Sequence, residues 1–117
     1  MSDNRFFRAN SKPQARVVVT GLGSLSPIGN NVKESFESAI HGRSGIAKIT
    51  SFDPENFAAQ IAGEVKNFDP SSVLDTKELK KMDRFIQFAM LASDEALKDS
   101  GLEVTEQNAE RIGCFIG

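Results

Sequence analysis

A run of β-branched residues that ends in glycines, Arg16-Val17-Val18-Val19-Thr20-Gly21-Leu22-Gly23, constrains this chain more than any other stretch. Three consecutive valines put apolar side chains on both faces of an extended segment, because successive side chains of a strand point to opposite sides. That pattern belongs to a strand covered on both faces, as in a parallel sheet between helical layers. The turn-forming stretch Ser24-Leu25-Ser26-Pro27-Ile28-Gly29 follows. Asn31 then stands three residues before Glu34, a capping-box spacing that predicts a helix running through Ile40 and His41, with Gly42 as its stop. Strand, glycine turn and helix in that order make the first half of a βαβ unit, so the fold class is α/β.

The remainder is read the same way. Residues Gly45 to Val73 are irregular, with one short strand expected within Gln60-Ile61-Ala62-Gly63-Glu64-Val65. Asp75 precedes Glu78 by three residues and predicts a long helix from about Thr76 to Lys98, broken near Met82 and stopped by Gly101. Phe85, Phe88, Ala89, Ala92 and Ala96 line one face of it, while Ile86, Met90 and Leu97 add apolar surface elsewhere, so that helix needs more than one packing partner. The final run, Ile112-Gly113-Cys114-Phe115-Ile116-Gly117, reads as a second buried strand. Two or three strands do not close a parallel sheet that must be covered on both faces, so 117 residues read as a portion of such an architecture. Residues 1–15 mix Arg5, Arg8 and Lys12 with Ser, Asn and Pro without periodicity and read as a flexible leader.

Composition narrows function. Hydrophobic residues at 39% together with 9 glycines give a globular rather than a disordered profile. Fourteen cationic against 16 anionic residues leave a net charge of -2, which provides no positive field for nucleic acid. The single Cys cannot form an internal disulfide or a zinc knuckle, and one His leaves no recurrent ligand spacing, so no metal or cofactor is expected. No apolar run approaches the ~20 residues needed to cross a bilayer. A cytoplasmic protein with no membrane and no nucleic-acid partner is the expectation. The nine Phe residues, without Trp or Tyr, serve as core filler.

Three stretches carry candidate chemical signals. Gly21-x-Gly23 after a strand suggests a dinucleotide site, but the third glycine would fall on Ser26, and no acidic residue closes a second strand some 20 positions on. A plain strand-to-helix turn accounts for it. Cys114 lies in an apolar strand pattern and His41 at a helix C-terminus, where they read as a small buried hydrophobe and a dipole partner rather than as a thiolate and its base. Lys77-Glu78-Leu79-Lys80-Lys81-Met82-Asp83-Arg84 concentrates four cations and two anions in eight residues. Such a run is either a solvated helix face or a surface for an acidic partner.

Four stretches, in order, carry a family resemblance. They are Arg16 to Gly23 with Ser26-Pro27-Ile28-Gly29; Gly42-Arg43-Ser44-Gly45-Ile46; Lys81-Met82-Asp83-Arg84-Phe85-Ile86-Gln87; and Asp99-Ser100-Gly101-Leu102 with Arg111-Ile112-Gly113. From Arg16 to the end the chain resembles the N-terminal part of the β-ketoacyl-acyl carrier protein synthases of type II, the elongating condensing enzymes of fatty-acid synthesis. The resemblance implies a partial thiolase-like fold, the first βα units of an α-β-α-β-α layered architecture, spanning residues 16–117, and a homodimer for the full-length family. It implies an acyltransferase in which an acyl group passes from acyl carrier protein to a Cys. Malonyl-carrier protein then loses carbon dioxide, and its carbanion attacks the thioester with the help of two His residues. Neither Cys114 nor His41 stands in the sequence context of those groups, so no catalytic residue is assigned and the catalytic set is expected beyond Gly117. By the same resemblance, Lys77, Lys80, Lys81 and Arg84 are assigned to docking of the acidic carrier protein. A chain without the catalytic set is expected to be inactive alone. The rival reading is a non-catalytic module that binds carrier protein or assembles with a separate subunit.

Overall fold

The computed structural model describes residues 15–117. The leader expected over 1–15 therefore lies, except for Ala15, outside the described residues. From Ala15 to Leu25 the chain has no regular secondary structure and pairs with no other strand among the described residues. This corrects the expectation of a strand at Arg16–Gly23. Three valines in a row favour an extended strand, but a ladder also needs a neighbour to accept its N–H groups, and the only sheet of the described residues lies elsewhere. The same holds for Ile112–Gly117, which carries no strand and leaves Phe115 96% exposed.

The turn after this segment is closed by a pair of backbone bonds: Ser26 N–H donates to the Gly29 carbonyl at 2.9 Å and Gly29 N–H to that of Ser26 at 3.2 Å. Helix α1, Val32–Ile40, begins where the capping pattern placed it. The Asn31 side chain accepts from Glu34 N–H at 2.8 Å, while the Glu34 carboxylate accepts from Asn30 N–H at 2.9 Å, one residue earlier than an ideal capping box. His41 closes the helix, and Gly42 follows with φ +63°, a left-handed conformation that favours glycine.

Where one short strand was expected there are two. β1, Ile46–Lys48, pairs antiparallel with β2, Ile61–Gly63, in the register Ile46 to Gly63, Ala47 to Ala62 and Lys48 to Ile61. The loop between them is held at its start by Glu64, whose carboxylate accepts from Thr50 N–H, Thr50 Oγ1 and Ser51 N–H at 2.8 to 3.0 Å. A 3₁₀ turn at Pro70–Ser72, capped by Asp69, leads through the buried Leu74 to α2, Thr76–Leu79.

Helix α3, Arg84–Ser100, is stopped by Gly101 at φ +64°. The break expected near Met82 falls over residues 80–83, and the helix continues two residues beyond Lys98. Asp83 adopts extended dihedrals, so the helical ladder cannot pass through it. Gln87 repairs the interruption by donating its side-chain amide to the carbonyls of Met82 at 3.1 Å and Leu79 at 3.4 Å.

Gly21 and Gly23 cross α3 at close range. A Cβ on either would strike the main chain at Ala92, Ala96 or Ser100. Small residues on both sides, glycines on the crossing segment and alanines on the helix, permit that approach. Two carboxylates of α3 satisfy the segment's amides: Asp99 accepts from Leu22 N–H, and Glu95 accepts from both Ser24 N–H and Val32 N–H, each at 2.9 Å. The chain is otherwise open. Its radius of gyration is 20.9 Å, against about 13 Å for a compact chain of this length.

Candidate functional site

The surface that carries the cationic run is built by α2 and the linker to α3. Within it, polar and apolar side chains separate by helical spacing. Leu79 and Met82 are half-buried, whereas Lys77, Lys80 and Lys81 are exposed. Backbone bonds continue past α2, with Lys81 N–H donating to the Glu78 carbonyl at 2.9 Å and Met82 N–H to that of Leu79 at 3.4 Å. The half-buried pair and the Gln87 amide thus hold one side of this turn, and three ammonium groups occupy the other. Among the described residues no carboxylate forms an ion pair with any of these lysines; the ion pair seen on α3 joins Lys98 to Asp94 at 2.6 Å.

Arg84 stands apart from the lysines. Its Nη2 donates to the Val65 carbonyl at 2.6 Å, and its guanidinium lies 4.9 Å from the ring centre of Phe68 and 5.4 Å from that of Phe88. The two rings pack edge to face, 4.9 Å between centres and 76° between planes. The four cations read together in the sequence are therefore three ammonium groups without an ion pair among the described residues and one engaged guanidinium.

The other candidates occupy less reactive places. His41 Nδ1–H donates to the Glu37 carbonyl at 2.7 Å, which ties the ring to the last turn of α1. Cys114 is exposed, not buried as its apolar neighbours suggested, because no strand or helix among the described residues covers its segment. No hydrogen bond joins His41 to Cys114 among the described residues. Gly21 and Gly23 face the α3 backbone, as a helix-crossing turn requires. No group of three or more His, Cys, Asp or Glu side chains converges on a metal position among the described residues. No helix is long and apolar enough to cross a membrane among them.

Two carboxylates have perturbed acidity. Hydrogen bonds from Ser51 and from Thr50 stabilise the charged form of Glu64 and lower its pKa to about 2. Asp69 is lowered by the Ser71 hydroxyl, which donates to it at 2.6 Å, and by Ser71 N–H at 2.9 Å. Both are loop fasteners. Glu95, the acceptor that joins the turn and α1 to α3, was missed in the sequence. Its signal was the spacing Ala92, Glu95, Ala96, Asp99, a small and acidic stripe on one face of α3.

Residues 14–117 match the family described as the N-terminal domain of β-ketoacyl synthases. The chain is 51% identical over 102 residues to the 3-oxoacyl-(acyl-carrier-protein) synthase 2 of Staphylococcus aureus strain COL and to that of Coxiella burnetii, covering 87% of this chain and 25% of each relative. It thus spans about a quarter of the length of the curated relatives it matches. Among solved structures, the ishigamide ketosynthase/chain length factor superposes with a TM-score of 0.67 at 40% identity, over 78% of this chain and 22% of that one. The helices, turn and hairpin described above are part of a thiolase-like α/β architecture.

Proposed function

Because the chain belongs to the β-ketoacyl synthase family through its N-terminal domain, we propose that it serves a 3-oxoacyl-acyl carrier protein synthase of fatty-acid elongation as the portion that receives the carrier protein. In this reading the enzyme is an acyltransferase that works in the cytoplasm as a homodimer. Its condensing Cys and His residues lie outside this chain. The observation that carries the reading is the Lys77, Lys80 and Lys81 surface. Three exposed ammonium groups stand on one turn without an ion pair among the described residues, on a chain 51% identical to carrier-protein-dependent synthases.

The physical chemistry suits a transient partner. Ammonium groups are strongly hydrated point charges on flexible stems, so they steer and orient an acidic surface without requiring a buried ion pair. Their contribution is screened within a Debye length of about 8–10 Å at physiological salt. Titration of labelled acyl carrier protein into the full chain tests this. Binding is expected to weaken as salt rises, and the triple reversal Lys77→Glu, Lys80→Glu, Lys81→Glu is expected to cost at least tenfold in affinity. Equal affinity for the triple variant, or binding indifferent to salt, refutes the docking role. A condensation assay with malonyl-carrier protein and the chain alone is expected to show no turnover, since His41 and Cys114 share no hydrogen bond and neither has a charge partner among the described residues.

A further inference from the structure

The docking run contains four cations, but the structure gives one of them a different environment. All four residues are exposed, but the Arg84 guanidinium is engaged with protein groups: the Val65 carbonyl at 2.6 Å and the faces of Phe68 and Phe88 at 4.9 and 5.4 Å. Arg84 is also the first residue of α3, directly after the linker that carries Lys80 and Lys81. Its contacts reach back 16 to 19 residues, to Val65 two residues past β2 and to Phe68 before the 3₁₀ turn. Three residues on, the Gln87 amide donates to the carbonyls of Leu79 and Met82. The lysine-bearing turn is therefore held from α3 directly by Gln87, while Arg84, at the exit of that turn, fastens the start of α3 to Val65 and Phe68. Asp83, the cap residue just before Arg84, makes no side-chain cap bond and supplies no further hold.

We infer that Arg84 is a positioning residue for the docking surface and not a fourth contact with the partner: its planar guanidinium, braced on Phe88 one turn along the same helix, locks the start of α3 against Val65 and Phe68, and so fixes the direction in which Lys77, Lys80 and Lys81 face. This rests on the docking reading given above. The chemistry requires arginine. A guanidinium can donate to a carbonyl while stacking on two rings, whereas an ammonium carries the same charge without the plane. Arg84→Lys is thus charge-neutral for any partner and damaging for the lock.

The test uses the full chain with acyl carrier protein, titrated at several salt concentrations for the unaltered protein, Arg84→Lys and Arg84→Gln, with backbone amide spectra of each variant. Both variants are expected to bind about three- to fivefold more weakly, the fold-change equivalent of one exposed cation–π contact. The salt dependence should stay that of the unaltered protein, because the three contacting charges remain. The amide resonances of Leu79 to Met82 are expected to move in both variants while those of Ser35 to Ile40 in α1 stay in place. If Arg84→Lys restores full affinity and Arg84→Gln does not, Arg84 is a direct charge contact and the inference is overturned. Unmoved resonances at Leu79 to Met82 overturn it as well, whatever the affinity. Failure of the unaltered chain to bind carrier protein at any salt would instead refute the docking reading, and the amide spectra would still decide whether Arg84 sets the turn.

Discussion

Replacing Gly23 by alanine adds one methyl group at the tightest crossing in the molecule. The new Cβ would fall on the carbonyl oxygen of Ala92 and stand 2.8 Å from both the Ala92 carbonyl carbon and the Ala96 nitrogen, inside the 3.0 Å that real Cβ contacts respect. All three are main-chain atoms of α3, so no rotamer change relieves the clash. Overpacking of this kind costs about 1–3 kcal/mol where neighbours can shift. Here the available relief is for residues 22–24 to lift off the helix, which breaks the bonds from Leu22 N–H to Asp99 and from Ser24 N–H to Glu95. Bonds to charged acceptors contribute about 1.5–3 kcal/mol each, and the low end applies to these partly exposed ones. A penalty of about 3 kcal/mol against the crossing follows, a shift of roughly a hundredfold in its equilibrium. Amide exchange on the full chain measures it: protection at Leu22 and Ser24 is expected to vanish in Gly23→Ala while Ser35 to Ile40 keep theirs. Gly42→Ala is the control. Nothing stands within 4 Å of that position, but φ is +63°, so the cost is about 1–2 kcal/mol and local to the end of α1. Unchanged protection at Leu22 and Ser24 in Gly23→Ala would show that the glycine is not needed for the crossing.

The carboxylates give two further expectations. Glu95→Ala leaves the Ser24 and Val32 amides without their acceptor and is expected to destabilise the chain by about 2 kcal/mol in denaturant titration; a change under about 0.5 kcal/mol would remove Glu95 from the set of structural links. Glu64 has its pKa lowered to about 2 from 4.5, so its stabilising effect is fully present above pH 4.5 and is lost as pH falls toward 2. Carboxyl carbon shifts should therefore show Glu64 ionised at pH 4, with the Thr50 and Ser51 amides unmoved until pH approaches 2. Titration of Glu64 in the ordinary carboxylate range would contradict the three-donor geometry at that loop.

Local signals carried much of the fold. The Asn31 to Glu34 spacing, the glycine stops at Gly42 and Gly101 and the interruption at Met82 each rest on interactions within a few residues, and each recurs in the structure. The strand at Arg16–Gly23 did not, since β-branched residues prefer an extended chain but a strand exists only with a neighbour. The β1–β2 pairing was half legible. Its three-residue ladder joins segments 12 residues apart and leaves too little alternation to show a period. The cationic run was visible as charge, yet charge alone could not separate Arg84 from the lysines, because Val65 and Phe68 reach it only through the tertiary path, while Phe88 stands one helical turn on along α3. Similarly, Glu95 and Asp99 act as acceptors for amides more than 60 residues earlier, a separation that no local pattern reveals.

These differences divide the surface into two kinds. Val17, Val18, Val19, Phe115 and Ile116 are all more than 60% exposed, and full burial of each is worth about 1.5–3 kcal/mol. Beside them run backbone amides without ladder partners among the described residues. A surface of that composition gains from continuous dry contact, the chemistry of a domain interior or a permanent interface. The lysine turn has the opposite character: charged, exposed, and held from beneath by Leu79, Met82 and Gln87. In the docking reading proposed above, it gains at low salt from brief contact with an acidic partner that leaves again. The two requirements are kept apart by α3, which meets the glycine segment along Ala92, Ala96 and Ser100 and the lysine turn through Gln87. Arg84 can therefore be altered to probe docking, and Gly23 to probe the crossing, with little shared cost, because the two sites lie on different turns of one rigid helix and have no side chain in common.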